Sequence, residues 1–306
     1  MAYTHENVVV CGIDASDESH NALLWAAHEA QIRSARLDIL CAYEEPTFAS
    51  HVGTSEGSID LMLAEELLAQ ARRSVENFGI EVTTQAVPED PVEMLVQRSK
   101  KVARIVLGSR GDGKRRRSKR ILGSVAAAVT AHSCCAVVVI PTNEVARVLP
   151  VRRIVCGVDG SEASRGALRL AIREASRWKA ELSCVNSVNF GGNSWLPSSL
   201  YQQNVLNDAV ESLQKIVDES MQGLDVSVDC QVVEGSPAAL LSEYSTTVDM
   251  LVLGTRGRGG FAGLLLGSTS QAVLQNTSCP VTIVPARAAD NENELEIQAR
   301  WGDYLT

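Results

Sequence analysis

The chain has 306 residues, which is enough for about two domains. Its hydrophobic fraction of 45% and charged fraction of 21% are ordinary for a soluble globular protein, and its net charge of −9 argues against general nucleic-acid binding. The sequence contains no run of 18 apolar residues and no secretory signal pattern. We therefore expect a cytoplasmic protein that makes no contact with membranes.

The first half of the chain reads as alternating strands and helices. Apolar residues 8–13 form a strand-like run that ends at Asp14, and residues 22–27 repeat alanine and leucine at helical spacing. Further strands are predicted at 37–43, 81–87, 104–107 and 137–141, with a long helix at 59–77 and a turn at Pro91 before a short helix.

The second half repeats this pattern. Its first strand, 154–158, ends at Asp159, just as the earlier one ends at Asp14, and a helical run follows at 167–172. Strands are predicted at 182–188, 225–233, 250–253 and 281–285, helices at 200–221 and 271–275, and a turn at Pro237. We predict domains at residues 1–144 and 153–286, a linker at 145–152, and an acidic tail at 287–306 that is either loosely packed or an interaction segment.

Strands that alternate with helices predict βαβ units and a parallel sheet. Continuous apolar strands such as MLVLG are typical of a sheet that is covered on both faces, and right-handed crossovers make it doubly wound. Each domain is therefore predicted to be an α/β fold with a five-stranded parallel sheet, for which we consider the strand order 3-2-1-4-5. In that order the ends of strands one and four are neighbours at the point where such sheets bind ligands.

A glycine-rich loop follows the fourth strand of the second half. Residues 254–268 read GTRGRGGFAGLLLGS and lead into a helix-like run. Glycines let an anion approach the main chain, and a helix start offers unpaired N–H groups, so the loop is suited to hold a phosphate. The alternative is a tight turn with a serine helix cap. Hydroxyls at three successive positions, Ser268, Thr269 and Ser270, favour the anion site.

These features together resemble a tandem universal stress protein, and the resemblance covers about residues 6–286. The nucleotide-binding pattern of that family is G-x2-G-x9-G followed by serine or threonine, which Gly254, Gly257, Gly267 and Ser268 match. The resemblance implies that ATP is bound, with the aspartate after strand one and a main-chain group at the end of strand two contacting adenine. It also implies that the glycine loop and the following helix start hold the ribose and phosphates, and that the protein forms a homodimer.

The resemblance implies one site in each half. In the first half it comprises Gly12, Asp14, Ala42, Gly108, Ser109, Arg110, Gly111, Gly113, Gly123, Ser124 and Val125. In the second half it comprises Gly157, Asp159, Ser187, Gly254, Thr255, Arg256, Gly257, Arg258, Gly259, Gly267, Ser268, Thr269 and Ser270.

The first half departs from the pattern within its glycine loop. Eleven residues, DGKRRRSKRIL, separate Gly111 from Gly123, where the second half has nine. The basic residues of Lys114–Arg120 either clamp phosphates or face solvent, and they are suited to weak contact with a polyanion. The segment also approaches a P-loop pattern, but Arg115 stands where the magnesium-binding hydroxyl belongs. We expect both halves to bind nucleotide, with altered phosphate contacts in the first.

No motif for catalysis or for a protein-held metal is present. The five histidines form no metalloprotease or triad pattern, and the eight cysteines show no zinc spacing. Cys11 and Cys156 lie in apolar runs typical of buried thiols, whereas adjacent Cys134 and Cys135 leave a redox role open.

We therefore expect a non-enzymatic, ATP-binding regulatory or stress-response switch that takes its nucleotide with or without Mg²⁺. The sequence does not identify a regulatory protein partner, and nucleic acid is not expected as a partner. The alternatives are a slow ATPase or phosphotransferase, and a scaffold that contacts polyanions through Lys114–Arg120.

Overall fold

The computed structural model describes residues 6–44, 56–111, 122–141, 149–190, 199–221, 223–257 and 265–285. The chain divides between Val145 and Ala146 into two compact units. The predicted tail, Gly113, the basic run Lys114–Arg120, Arg258 and Gly259 lie outside the described residues. No helix within the described ranges is long and apolar enough to span a bilayer.

Both units alternate strands and helices along the chain. The first contains β1 (Glu6–Gly12), α1 (Asp17–Arg33), β2 (Arg36–Ala42), α2 (Glu56–Val75), β3 (Val82–Val87), α3 (Pro91–Arg98), β4 (Val102–Gly108), α4 (Ser124–His132) and β5 (Ala136–Ile140). The second contains β6 (Arg153–Gly157), α5 (Glu162–Trp178), β7 (Glu181–Val188), α6 (Ser199–Ser220), β8 (Val228–Glu234), α7 (Pro237–Tyr244), β9 (Met250–Gly254), α8 (Ser268–Asn276) and β10 (Val281–Val284).

The strand order of each sheet confirms the sequence prediction. In the first unit β1 pairs in parallel with β2 and β4, and β3 and β5 lie outside them, so the order is 3-2-1-4-5. In the second unit β6 pairs in parallel with β7 and β9, with β8 and β10 outside them. The ends of the first and fourth strands are therefore neighbours in both sheets.

Local sequence signals explain where the helices begin. Ser16 and Ser161 cap α1 and α5, since each side chain accepts a hydrogen bond from the backbone N–H three residues later. Pro91 and Pro237, which were predicted to lie in turns, instead occupy the first turn of α3 and α7. Proline is tolerated there because the first N–H of a helix has no partner within the helix.

A buried ion cluster holds α1 against β4 in the first unit. The Glu29 carboxylate lies 2.7 Å from Nη1 of Arg104 and 3.0 Å from Nε of Arg33, and Trp25 donates its indole N–H to it at 3.2 Å. The side chains of Glu29 and Arg104 are almost completely buried. Since α1 follows the first strand and β4 carries the glycine loop, this cluster fixes the two elements that border the predicted site.

We predict that Glu29→Gln lowers the free energy of unfolding by about 3 kcal/mol, because two guanidinium groups stay buried without this carboxylate. Urea unfolding measures the change. Glu219→Gln is the matched control: its pair with Arg165 also spans 3.0 Å, but the Glu219 side chain is 50% exposed, so a loss below about 1 kcal/mol is expected. Equal losses in the two variants would contradict the structural role of the cluster.

Candidate functional site

A cavity of about 460 Å³ opens in the second unit where β6, β7 and β9 end. This volume lies within the range of small-molecule sites. The described part of the predicted site lines the cavity with ten residues: Gly157, Asp159, Ser187, Gly254, Arg256, Gly257, Gly267, Ser268, Thr269 and Ser270. Residues far apart in sequence are thus brought to one crevice at the carboxyl edge of the sheet.

Two glycines of the loop lie in close contacts within the protein. A Cβ atom on Gly254 would lie 2.7 Å from the carbonyl carbon of Ala163, so only glycine lets β9 end against the start of α5. A Cβ atom on Gly257 would collide with Oδ2 of Asp159. The carboxylate of Asp159 therefore lies directly against the glycine loop, and its Oδ1 accepts the Ser161 N–H at 2.9 Å.

Main-chain hydrogen bonds hold the ends of the loop together. The Thr255 N–H donates to the Val284 carbonyl at 3.1 Å, and the Thr255 carbonyl accepts from Gly267 N–H at 2.7 Å. The Ser270 hydroxyl donates to the Gly254 carbonyl at 2.8 Å. Thr255 itself is buried and lies outside the cavity lining. Its backbone joins the loop to β10 and to the start of α8.

The start of α8 faces the cavity without a side-chain cap. Gly267 occupies the N-cap position, and no side chain of the described residues bonds to the first turn there. The serine cap that was the alternative to an anion site is therefore not formed at α8, whereas α5 in the same unit does have one. Uncapped N–H groups of residues 268–270 and the positive end of the helix dipole favour an anion in the cavity.

The sequence analysis missed the apolar part of the cavity lining. Pro237, Leu240 and Leu241 of α7 contribute to it. The signal available was the pair of leucines one turn after a proline, but sequence alone does not show which side of a helix meets a cavity. The remaining lining residues that were not predicted are Val158, Ser164, Val185 and Leu253.

The first unit holds the ends of its longer loop by the same backbone contacts. Gly108 packs against α1, since a Cβ atom there would lie 2.8 Å from the Glu18 carbonyl carbon. The Ser109 carbonyl accepts from Gly123 N–H at 2.8 Å, as Thr255 does from Gly267. Gly123 is likewise an N-cap without a side-chain bond among the described residues. These backbone contacts are thus common to both units, although the second and third glycines of the pattern are separated by eleven residues in the first unit and by nine in the second.

The other predicted residues of the first unit occupy equivalent places. Asp14 follows β1, and its Oδ1 accepts hydrogen bonds from the N–H and the hydroxyl of Ser16. A Cβ atom on Gly111 would collide with Oδ2 of Asp14, as one on Gly257 would with Asp159. Four further residues lie at element ends: Gly12 ends β1, Ala42 ends β2, and Ser124 and Val125 begin α4. Arg110 holds the position between Ser109 and Gly111 that Arg256 holds in the second unit.

Two α/β units, each with a parallel sheet, an aspartate after its first strand and a glycine loop before an uncapped helix, define a tandem-repeat α/β protein. The model of the Universal stress protein family matches residues 7–141 and 150–285. The chain belongs to this family, as its glycine and aspartate pattern indicated.

Curated relatives agree with this assignment, and a solved structure matches the fold. Universal stress protein Rv1996 of Mycobacterium tuberculosis is 30% identical over 299 residues, covering 90% of this chain and 94% of the relative. Universal stress protein Rv2623 of the same organism is 30% identical over 291 residues, covering 90% and 95%. A universal stress protein structure from Archaeoglobus fulgidus matches the fold with a TM-score of 0.67 at 21% identity, covering 92% of this chain and 97% of that one.

Cys41 lies beside the predicted site of the first unit. Burial raises the pKa of its thiol, and the negative charge of Asp14 raises that pKa further. The thiol is therefore protonated at neutral pH, and its reactivity reports the charge of the neighbouring aspartate.

We predict that alkylation of Cys41 accelerates only above the usual thiol pKa of about 8.5, because the thiolate is the reactive form. Asp14→Asn removes a negative charge, which lowers the thiol pKa, so alkylation at pH 8.5 should become faster. Peptide mass spectrometry after iodoacetamide treatment measures the rate. Asp60→Asn on the exposed face of α2 is the control, and an equal acceleration there would rule out the Asp14 charge as the cause.

Proposed function

We propose that this universal stress protein binds ATP in the second-unit cavity and acts as a nucleotide-dependent regulatory switch in a stress response. One observation carries the proposal: residues 268–270, which start α8 without a side-chain cap, line the same cavity as Asp159. A nucleotide needs both an anion site and a base-recognising group, and the described cavity offers both.

The phosphate end of the ligand is assigned to the glycine loop and α8. Main-chain N–H groups of residues 268–270 lie at the positive end of the helix dipole, which is equivalent to about half a unit charge. Arg256 also lines the cavity and brings a full positive charge to the same loop. These groups favour a polyphosphate over a neutral ligand because each interacts with negative charge.

The base end is assigned to Asp159, Ser187 and the leucines of α7. A carboxylate accepts hydrogen bonds, and adenine carries an exocyclic amino group that donates them. Leu240 and Leu241 supply apolar surface that the flat face of a base can pack against. These assignments follow what the family resemblance implies for ATP.

A switch is favoured over an enzyme by the chemistry of the lining. Asp159 is the one carboxylate among the described residues that line the cavity, and the proposal commits it to the base. Phosphoryl transfer also needs a group that orients the nucleophile at the phosphate end. Within the described ranges no cluster of three or more His, Cys, Asp or Glu is arranged for a metal. The proposal is that any Mg²⁺ enters the site with the triphosphate.

We predict that the wild-type chain binds ATP and that Gly257→Ala weakens binding in the second unit by about tenfold or more. The new methyl group displaces Asp159, which removes base recognition and shifts the loop. Isothermal titration calorimetry measures both affinity and stoichiometry, and two nucleotides per chain are expected.

Gly223→Ala is the matched control for this variant. Gly223 does not line the cavity and nothing lies within 4 Å of an added Cβ, so ATP binding should be unchanged even though its φ of 77° strains an alanine. No heat at millimolar ATP with the wild-type chain would refute the proposed function. A single nucleotide per chain would contradict an active first site.

We further predict no phosphate release above background when the chain is incubated with ATP and Mg²⁺. The second-unit site is tested with Gly267→Val, since a Cβ atom there would lie 3.3 Å from the Thr255 carbonyl oxygen that holds the loop. Turnover by the wild type that this variant abolishes would favour the slow ATPase instead. Turnover that persists in the variant would arise at another site.

Assembly offers a readout of the switch. The homodimer that the family resemblance implies is part of the proposal, and nucleotide is proposed to change its stability. Light scattering of the chain with and without ATP measures the mass directly, and an unchanged mass in both states would remove assembly as the readout.

A further inference from the structure

Ser161 caps α5 and also contacts the glycine loop. Its Oγ accepts the Ser164 N–H at 3.2 Å and donates to the Arg256 carbonyl at 3.2 Å. A serine hydroxyl has one proton to donate, so that proton is committed to the loop. The start of α5 and the segment 256–257 are thereby tied together across 95 residues of chain.

This bond sets the direction of the next amide. In a trans peptide the carbonyl and the following N–H point in opposite directions. Anchoring the Arg256 carbonyl to α5 therefore turns the Gly257 N–H away from α5. The Gly257 nitrogen lies 3.7 Å from the position of a Cβ atom on Gly267, the N-cap of α8. The amide thus sits beside the first turn whose N–H groups line the cavity.

The first unit uses its equivalent serine differently. Ser16 caps α1 in the same way, accepting the Ser19 N–H at 3.1 Å, but its hydroxyl donates to the carboxylate of Asp14. The residue between aspartate and serine also differs: Gly160 has φ of 80°, whereas Ala15 is outside the left-handed region. Both serines cap a helix, and they differ in the acceptor of the hydroxyl proton.

We infer that Ser161 is a positioning residue that holds the Gly257 amide beside α8 so that it joins the phosphate-binding groups. This inference rests on the proposed ATP site. It adds a role for a side chain that does not line the cavity and that the sequence analysis did not include among the site residues. In the first unit the Gly111 nitrogen lies at the same 3.7 Å from the Cβ position on Gly123, so the two units differ in whether this serine anchors the amide and not in where the amide lies.

The test compares four variants of the full-length chain by calorimetry with ATP and with adenosine. Ser161→Ala removes both the cap and the hydroxyl donor, whereas Ser161→Gly removes the donor and keeps a residue that is favourable at an N-cap. Ser161→Thr keeps both functions. Ser16→Ala removes the equivalent cap in the first unit. The second-unit component of the heat is the part that Gly257→Ala weakens.

The expected result is a loss of about fivefold in ATP affinity of the second unit in both Ser161→Ala and Ser161→Gly, the effect of one lost hydrogen bond. Ser161→Thr should restore the affinity, and Ser16→Ala should leave this component unchanged. Adenosine should bind all variants equally, because the Gly257 amide is assigned to phosphate. A purely structural role would instead lower thermal stability without separating ATP from adenosine.

Three outcomes would overturn the inference. Equal ATP affinity in all variants would leave the proposed ATP site standing and remove the role of Ser161. A loss in Ser161→Ala that is absent in Ser161→Gly would assign the effect to the helix cap. A wild-type chain that binds no ATP would overturn the proposed function and this inference together.

Discussion

The close approach between the fourth strand and the first helix of each unit determines the rest of the site. Gly108 lies against the backbone of α1, and Gly254 lies against that of α5 at the distances of a direct contact. A side chain at either position would separate strand from helix. Because the aspartate immediately precedes the helix and the glycine loop immediately follows the strand, this contact brings Asp159 and the loop into one crevice.

The two units share this frame and differ in the chemistry built on it. Both loops are closed by the same carbonyl-to-amide bond at the base, and both lead into a helix with an uncapped glycine N-cap. The units differ in loop length and in what the serine of the first helix binds. A duplicated fold has thus kept its backbone contacts while its side-chain hydrogen bonds have diverged.

Sequence reasoning predicted the elements whose signals are local. Continuous apolar strands, helical spacing and the repeat predicted the elements and the parallel sheets, the strand order came with the family resemblance, and the aspartates and glycines were placed at the correct sheet edge. The apolar lining by Leu240 and the exclusion of Thr255 from the cavity were not predicted, because both depend on packing between elements distant in sequence. Gly254 shows a related limit: its pattern suggested approach of a ligand, whereas in the structure its immediate neighbour is the Ala163 backbone.

A hydrogen bond from the Gly123 N–H to the Ser109 carbonyl joins the two ends of the first loop. Its counterpart from Gly267 to Thr255 joins the ends of the second loop, which has a different length. Because this hydrogen bond forms in both units although their loops differ in length, insertions between the second and third glycines of the pattern leave the sheet and helices in place. Evolution or design can therefore change the length and charge of the intervening segment without changing the domain that carries it.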